Sequence, residues 1–139
     1  MARSGFYQIV ILIGGELRKE TYELVGPLAE PAASQLHLDI IFMGVDGLSV
    51  EGGLTTHNLV EARVDRMLID RANEVVVVAD HTKLGRKTFA QIAPLEVAHT
   101  LITDSSADPE LIRQFERAGL RVIVARGDAE RIASGNEVD

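Results

Sequence analysis

Five short apolar runs divide the chain. Ile9 to Ile13 is an unbroken β-branched and leucine run stopped by Gly14-Gly15, and the pattern recurs at Asp39 to Met43, Glu74 to Ala79, Thr100 to Thr103 and Arg121 to Ala125. Runs without polar alternation mark strands buried on both faces, as in parallel sheets covered by helices. Helical periodicity fills the gaps. Thr56 to Ala72 places Val60, Val64, Met67, Leu68 and Ala72 on one face and leaves Arg63, Asp65, Arg66 and Asp70 for the other. Asn58 and Glu61 have capping-box spacing, so this helix is predicted to begin there, with both residues serving the cap rather than a ligand. Asp108-Pro109-Glu110 opens a second helix, whose stripe of Leu111, Ile112, Phe115 and Ala118 ends at Gly119. A third is expected between Gly26 and Leu38, with Pro31 in its first turn or kinking it. Alternating strands and helices joined by right-handed crossovers predict an α/β fold: an open, mostly parallel sheet with flanking helices. Residues 1–127 read as one domain without an internal repeat, and 128–139, poor in apolar residues, as a flexible tail.

Composition narrows the functional classes. A chain of 139 residues, 46% apolar and 25% charged, has the habit of one folded domain. No apolar run approaches the roughly 20 residues that span a bilayer, and the run after Arg3 is too short for a signal-peptide core. The absence of cysteine removes disulfides and thiolate chemistry, and agrees with a cytoplasmic location. A net charge of -7 argues against this segment gripping a nucleic-acid backbone. Only 4% of the residues are aromatic, too few for base-stacking platforms.

In open parallel sheets, ligands bind beyond the carboxyl ends of the strands. The segments there are Gly14-Gly15-Glu16, Gly44 to Thr56, Asp80 to Gly85 and Asp104 to Ser106. The second is rich in glycine, which either lets the backbone approach a ligand or only permits tight turns. Its N–H groups and threonine hydroxyls, at the start of the Asn58 helix, can hold an oxyanion. Lys83 offers a positive charge three residues after Asp80; the plainer reading is an Asx turn at Asp80 and a solvated lysine. Neither nucleotide-binding glycine motif occurs, so no cofactor is expected. His37, His57, His81 and His99 lack metal-site spacing, so no metal is expected, and no serine sits in a nucleophile elbow.

Three stretches taken together resemble the effector domain of the DeoR family of bacterial transcriptional repressors. They are Ile11 to Arg18 with Val25-Gly26-Pro27; Asp39 to Thr56, with its Gly-Val-Asp-Gly and Gly-Gly-Leu-Thr-Thr; and Val76 to Gly85; Ile102-Thr103-Asp104 fits as well. The resemblance implies a sheet of the ribose-5-phosphate isomerase kind and a sensor whose phosphorylated-sugar inducer releases an attached winged helix-turn-helix from its operator. Carried over residue by residue, it implies a ligand site of Asp46, Gly47, Glu51, Gly52, Gly53, Thr55 and Thr56, with Asp80 and Lys83 across the pocket, beside Gly14 and Gly15. Two family elements do not match: the DNA-binding head, and the opening strand with its phosphate-gripping loop. The domain is therefore expected to be incomplete at its N-terminus, to reach DNA only through a head absent from this chain, and to self-associate through an uncovered sheet edge. Two alternatives are a sugar phosphate isomerase and an oligomerisation scaffold without ligand binding. For the isomerase, the second acid expected three residues after Asp46 is Ser49, which leaves Asp46 and Glu51 as the candidate pair.

Overall fold

The computed structural model describes residues 9–126. In chain order its elements are β1 (Glu16–Leu17), β2 (Leu24–Val25), α1 (Ala29–Ala33), β3 (Leu38–Gly44), β4 (Gly47–Ser49), β5 (Gly53–Thr56), α2 (Leu59–Asp70), β6 (Ala72–Val78), β7 (Ala90–Ala93), β8 (Thr100–Asp104), α3 (Pro109–Arg117) and β9 (Arg121–Ala125). Single 3-10 turns cover His81–Lys83 and Leu95–Val97.

The main sheet is parallel, in the order β3-β6-β8-β9, which matches four of the five runs read from the sequence. A second, antiparallel sheet, β4-β5-β7, forms from the glycine-rich loop and from Ala90–Ala93. One core joins the two sheets. Met43, Val75, Val77 and Leu101 of the main sheet pack with Leu48, Leu54 and Ile92 of the second, with Ala62 and Ile69 of α2, and with Phe115 of α3.

Three expectations need correction. Ile9 to Ile13 forms no strand, and Ile9 to Leu12 stand exposed, because no neighbouring strand among the described residues bonds to this run. A β-branched run becomes a strand only where a ladder receives it. Burial on both faces holds only at the centre of the main sheet, where Val75, Val76 and Val77 of β6 are all buried; toward its outer strands Ile40 and Phe42 of β3 and Ile123 of β9 are exposed, as is Val78 at the end of β6. Finally, α2 turns a different side inward. Glu61, Ala62, Val64, Asp65 and Ile69 are buried, whereas Val60 is exposed. The tail 128–139 lies outside the described residues.

The glycines of the loop have local duties. Gly53 adopts φ +68°, and a Cβ there would strike the Ala93 carbonyl oxygen and come within 2.8 Å of the Pro94 Cα. A Cβ on Gly47 would sit 2.6 Å from the Arg86 carbonyl oxygen. Both glycines let β4 and β5 pack closely against the segments beside them.

Candidate functional site

Parallel pairing brings two of the sequence-selected segments to the carboxyl end of the main sheet. Gly44 of β3 pairs with Val78 of β6, so Asp46 and Asp80 each lie two residues beyond adjacent strand ends. Asp46 N–H donates to the Thr55 carbonyl, which joins Asp46 to the end of β5. Thr56 and the start of α2 follow directly. Asn58 caps that helix, its side-chain oxygen accepting from the N–H groups of Val60 and Glu61 at 2.8 and 3.2 Å.

Glu61 does not complete the capping box. Its carboxylate, on a residue only 3% exposed, accepts from Thr21 Oγ1 at 2.9 Å and meets Arg18 Nε at 2.5 Å. Thr56 Oγ1 lies 2.9 Å from Glu61 Oε2 and 2.8 Å from Asp46 Oδ2. A hydroxyl carries one hydrogen, so it can donate to only one of two carboxylates; Asp46 Oδ2 also accepts from His57 N–H at 3.3 Å, and Glu61 has Thr21 and Arg18, so each keeps a donor either way. The Arg18–Glu23 turn closes this end through Arg18 N–H to the Glu23 carbonyl at 2.9 Å. Within that turn Tyr22 takes φ +60°, an uncommon conformation for a bulky residue.

Glu23 and Asp65 complete a carboxylate group that the sequence reading did not select. With Thr21, Asp46, Thr56 and Glu61 they line a cavity of about 190 Å³. Glu23, Gly44 and Asp65 also border an adjoining cavity of about 230 Å³, whose other walls are mostly apolar side chains of β2, β3 and α2. Burial pushes the Asp65 carboxyl up to about 7, helped by the negative charges of Glu23, Glu61 and Asp46. Burial likewise raises Glu23, reinforced by Glu61 and Asp46, with Arg18 opposing. The signal in the sequence was an acidic residue at 61 and another at 65, one helical turn apart.

The remaining selected residues separate into two groups. Asp80 caps the 3-10 turn, accepting from Thr82 N–H at 2.8 Å and from the Thr82 hydroxyl, which hold its carboxyl below the usual range together with Lys83 and His81. Lys83 is half-buried beside it and belongs to none of the ion pairs among the described residues. The structure does not bring Glu51, Gly52 and Gly53 to Asp46. They occupy the far end of the β4–β5 hairpin, about four residues or roughly 13 Å along the strand. There Glu51 pairs with Lys87 Nζ at 3.0 Å, so the carboxylate pair considered for an isomerase is not assembled. Thr55 is buried in structural bonds, donating to the Gly47 carbonyl and accepting from Thr88 N–H. Gly15 packs where a Cβ would meet the Val25 carbonyl oxygen at 2.8 Å, which explains that glycine by close packing; Gly14 meets no neighbour.

Asp80, His81 and Asp104 gather at the ends of β6 and β8 with ligand atoms within 4.8 Å of one another, although their sequence spacing gave no hint of it. The Asp104 oxygens accept from His81 and Ser106 N–H groups, and His81 Nδ1 is 3.0 Å from Asp104 Oδ1. These bonds hold the carboxyl of Asp104 low and account for the cluster as turn structure.

An α/β domain with polar loops converging beyond its parallel strands, and a carboxylate-lined cavity beside them, has the form of a small-molecule binding domain. The chain belongs to the DeoR C-terminal sensor domain family, whose profile matches residues 7–105. It is 44% identical to the HTH-type transcriptional regulator GlpR of Haloferax volcanii over 82% of this chain and 45% of that protein. Similarity extends to the HTH-type transcriptional regulator GolR of Listeria innocua, 37% identical over 84% of this chain and 46% of the other. The glycerol-3-phosphate regulon repressor of Escherichia coli is 30% identical over 69% of this chain and 38% of its own length. The chain thus spans under half the length of these relatives, which are transcriptional regulators. Among the described residues no helix is long and apolar enough to cross a membrane.

Proposed function

We propose that this domain senses a phosphorylated sugar for a sugar-operon transcriptional repressor and acts by binding rather than by catalysis. The observation that supports the reading is that the segments carrying Asp46 and Asp80-Lys83 leave adjacent parallel strands at the same, carboxyl end of the sheet. Carboxylates and a threonine hydroxyl suit sugar hydroxyls, and an ammonium outside any described ion pair suits a phosphate. The name of the glycerol-3-phosphate regulon repressor supports a phosphorylated inducer. DNA contact then belongs to a helix-turn-helix outside this chain, in a cytoplasmic regulator. The exposed Ile40, Phe42, Val78 and Ile123 support self-association through the open face of the main sheet.

A thermal-shift panel of triose, pentose and hexose phosphates tests this. One of them should raise the melting temperature in proportion to ln(1 + [L]/Kd), and Lys83→Ala should remove the shift without lowering the unliganded midpoint. No shift from any phosphate ester, in a protein that melts cooperatively, refutes the reading.

A further inference from the structure

Helix α2 and strand β7 border an open groove of about 470 Å³. Leu59, Arg63, Arg66 and Asp70 follow one another along it at three- and four-residue intervals, a stripe roughly half a turn round the helix from Glu61 and Asp65. Ala62 and Met67 add to its apolar lining, and Gln91 borders it from β7. Arg66 ties the helix to the strand, its Nε donating to the Ile92 carbonyl at 2.6 Å and its Nη2 to the Gln91 carbonyl at 3.2 Å. These bonds preform the groove and leave it to be filled by side chains rather than by an added strand. Beside it stands Phe89. In β7, Ala90 and Ile92 are buried and Gln91 is exposed, so Phe89, just before the strand and 78% exposed, stands on the Gln91 side about 7 Å away. Leu59 is exposed as well. One face therefore carries both an apolar knob and an apolar hole. None of the buried polar atoms left without a partner among the described residues belongs to a residue lining this groove, so it lacks the polar fixings of a small-molecule site.

We propose that this groove docks a second copy of the chain in a two-fold contact, with Phe89 of each copy entering the groove of the other and the two α2 helices antiparallel. A two-fold contact uses the same patch on both copies, so the patch must complement itself. A knob beside a hole meets that condition, whereas a partner of other chemistry would account for the hole alone. The charges agree. Arg63 and Asp70 stand two helical turns apart on the exposed stripe, so antiparallel helices set each Arg63 against the partner's Asp70, twice in the dimer. Arg63, with a side chain 72% exposed, pairs with Glu30 through Nε alone, and Asp70 belongs to none of the ion pairs among the described residues. A chain of net charge -7 repels its own copy over most of its surface, but this groove is lined by two arginines against one aspartate. Phe89 has the character of an interface anchor, an aromatic side chain seated in a pocket. The contact is separate from the open face of the main sheet, and the two together would build assemblies beyond a dimer.

Sedimentation equilibrium of the whole chain, from micromolar to submillimolar concentration, tests the contact. The wild type should self-associate, and Phe89→Ser should weaken association about tenfold or more. Phe89 is exposed within one copy, so its replacement leaves the thermal midpoint of the dilute protein unchanged. Asp70→Arg and Arg63→Glu each place like charges opposite one another and should each weaken association about tenfold, while the double variant should return to within about threefold of the wild type. Rescue of that kind reads the pairing between copies, because the bond from Arg63 to Glu30 lies within one copy and is lost in the single and the double variant alike. A wild type that stays monomeric overturns the assignment, as do Phe89→Ser and Asp70→Arg proteins that associate within twofold of the wild type. Association abolished by Phe42→Ser and untouched by Phe89→Ser places the second copy on the open sheet face and overturns it too. A double variant as weak as the single ones overturns the antiparallel setting of α2.

Discussion

Asp65 makes the stability of this domain depend on pH in a direction opposite to that of a salt-bridged aspartate. The perturbation is Asp65→Asn, which keeps the shape and removes the ionisation. In the folded chain the carboxyl titrates at about 7 rather than at its ordinary 3.8, because burial and the charges of Glu23, Glu61 and Asp46 oppose its ionisation. A raised folded-state pKa means that the native state binds the proton more tightly than the unfolded chain does. The stabilisation is fully present below pH ~4, declines as pH rises, and is lost once pH has passed through about 7. A difference of about 3 units at ~1.4 kcal/mol each sets a ceiling of about 4 kcal/mol, and coupling to the neighbouring carboxylates lowers the realised value to about 2–3 kcal/mol. Urea unfolding of both proteins at pH 4.5 and pH 8 measures it. The variant should gain about 2–3 kcal/mol on the wild type between those two pH values, which is roughly 6–10 °C in melting temperature for a domain of this size. Two pH profiles that run parallel within ~0.5 kcal/mol would refute the placement of Asp65 as a buried, unpaired carboxyl.

Other predictions test the frame around the site. Gly53→Ala should destabilise the domain by at least ~2 kcal/mol in urea unfolding, since it forces a Cβ against the Ala93 carbonyl at a positive φ; a neutral result would contradict the β5–β7 packing. Asn58→Ala should cost about 1 kcal/mol through loss of the helix cap, and Asn58→Asp should recover most of it. Phe42 is 65% exposed on the open sheet face, so Phe42→Ser should leave stability within ~0.5 kcal/mol while reducing the apparent mass in concentrated light scattering. An unchanged mass would remove that face from self-association.

What the sequence makes legible divides along a physical line. Strands β6, β8 and β9, and the caps at Asn58 and Asp108, rest on local chemistry, and each appears where its pattern predicts. The family was legible too, because its loops carry uncommon residue combinations in a fixed order, and the match over 7–105 agrees. Ile9 to Ile13 failed for the complementary reason: a strand is a property of a pair, and composition cannot say whether a partner is present. The glycine-rich loop became a hairpin of a second sheet because two turns and a close approach to Ala93 and Arg86 use its glycines.

The carboxylate cavity was least legible, and the cause lies in α2. An amphipathic reading assigns charged positions to solvent, so Asp65 falls on the outer face and Glu61 is absorbed by the capping box. The helix instead turns both inward, where Glu61 finds Arg18 from a turn 43 positions earlier and Thr21 beside it. No periodicity within the helix can encode that partnership, since it depends on how the β1–β2 hairpin folds back over α2. Thr56 shows the same limit. Its place in the strand-end loop marks it as a ligand candidate, but Asp46 and Glu61 converge on its hydroxyl from two elements. Turning these carboxyls inward has a cost that the protein meets in two ways: Glu61 is offset by Arg18 and Thr21, whereas burial pushes the Asp65 carboxyl up to about 7.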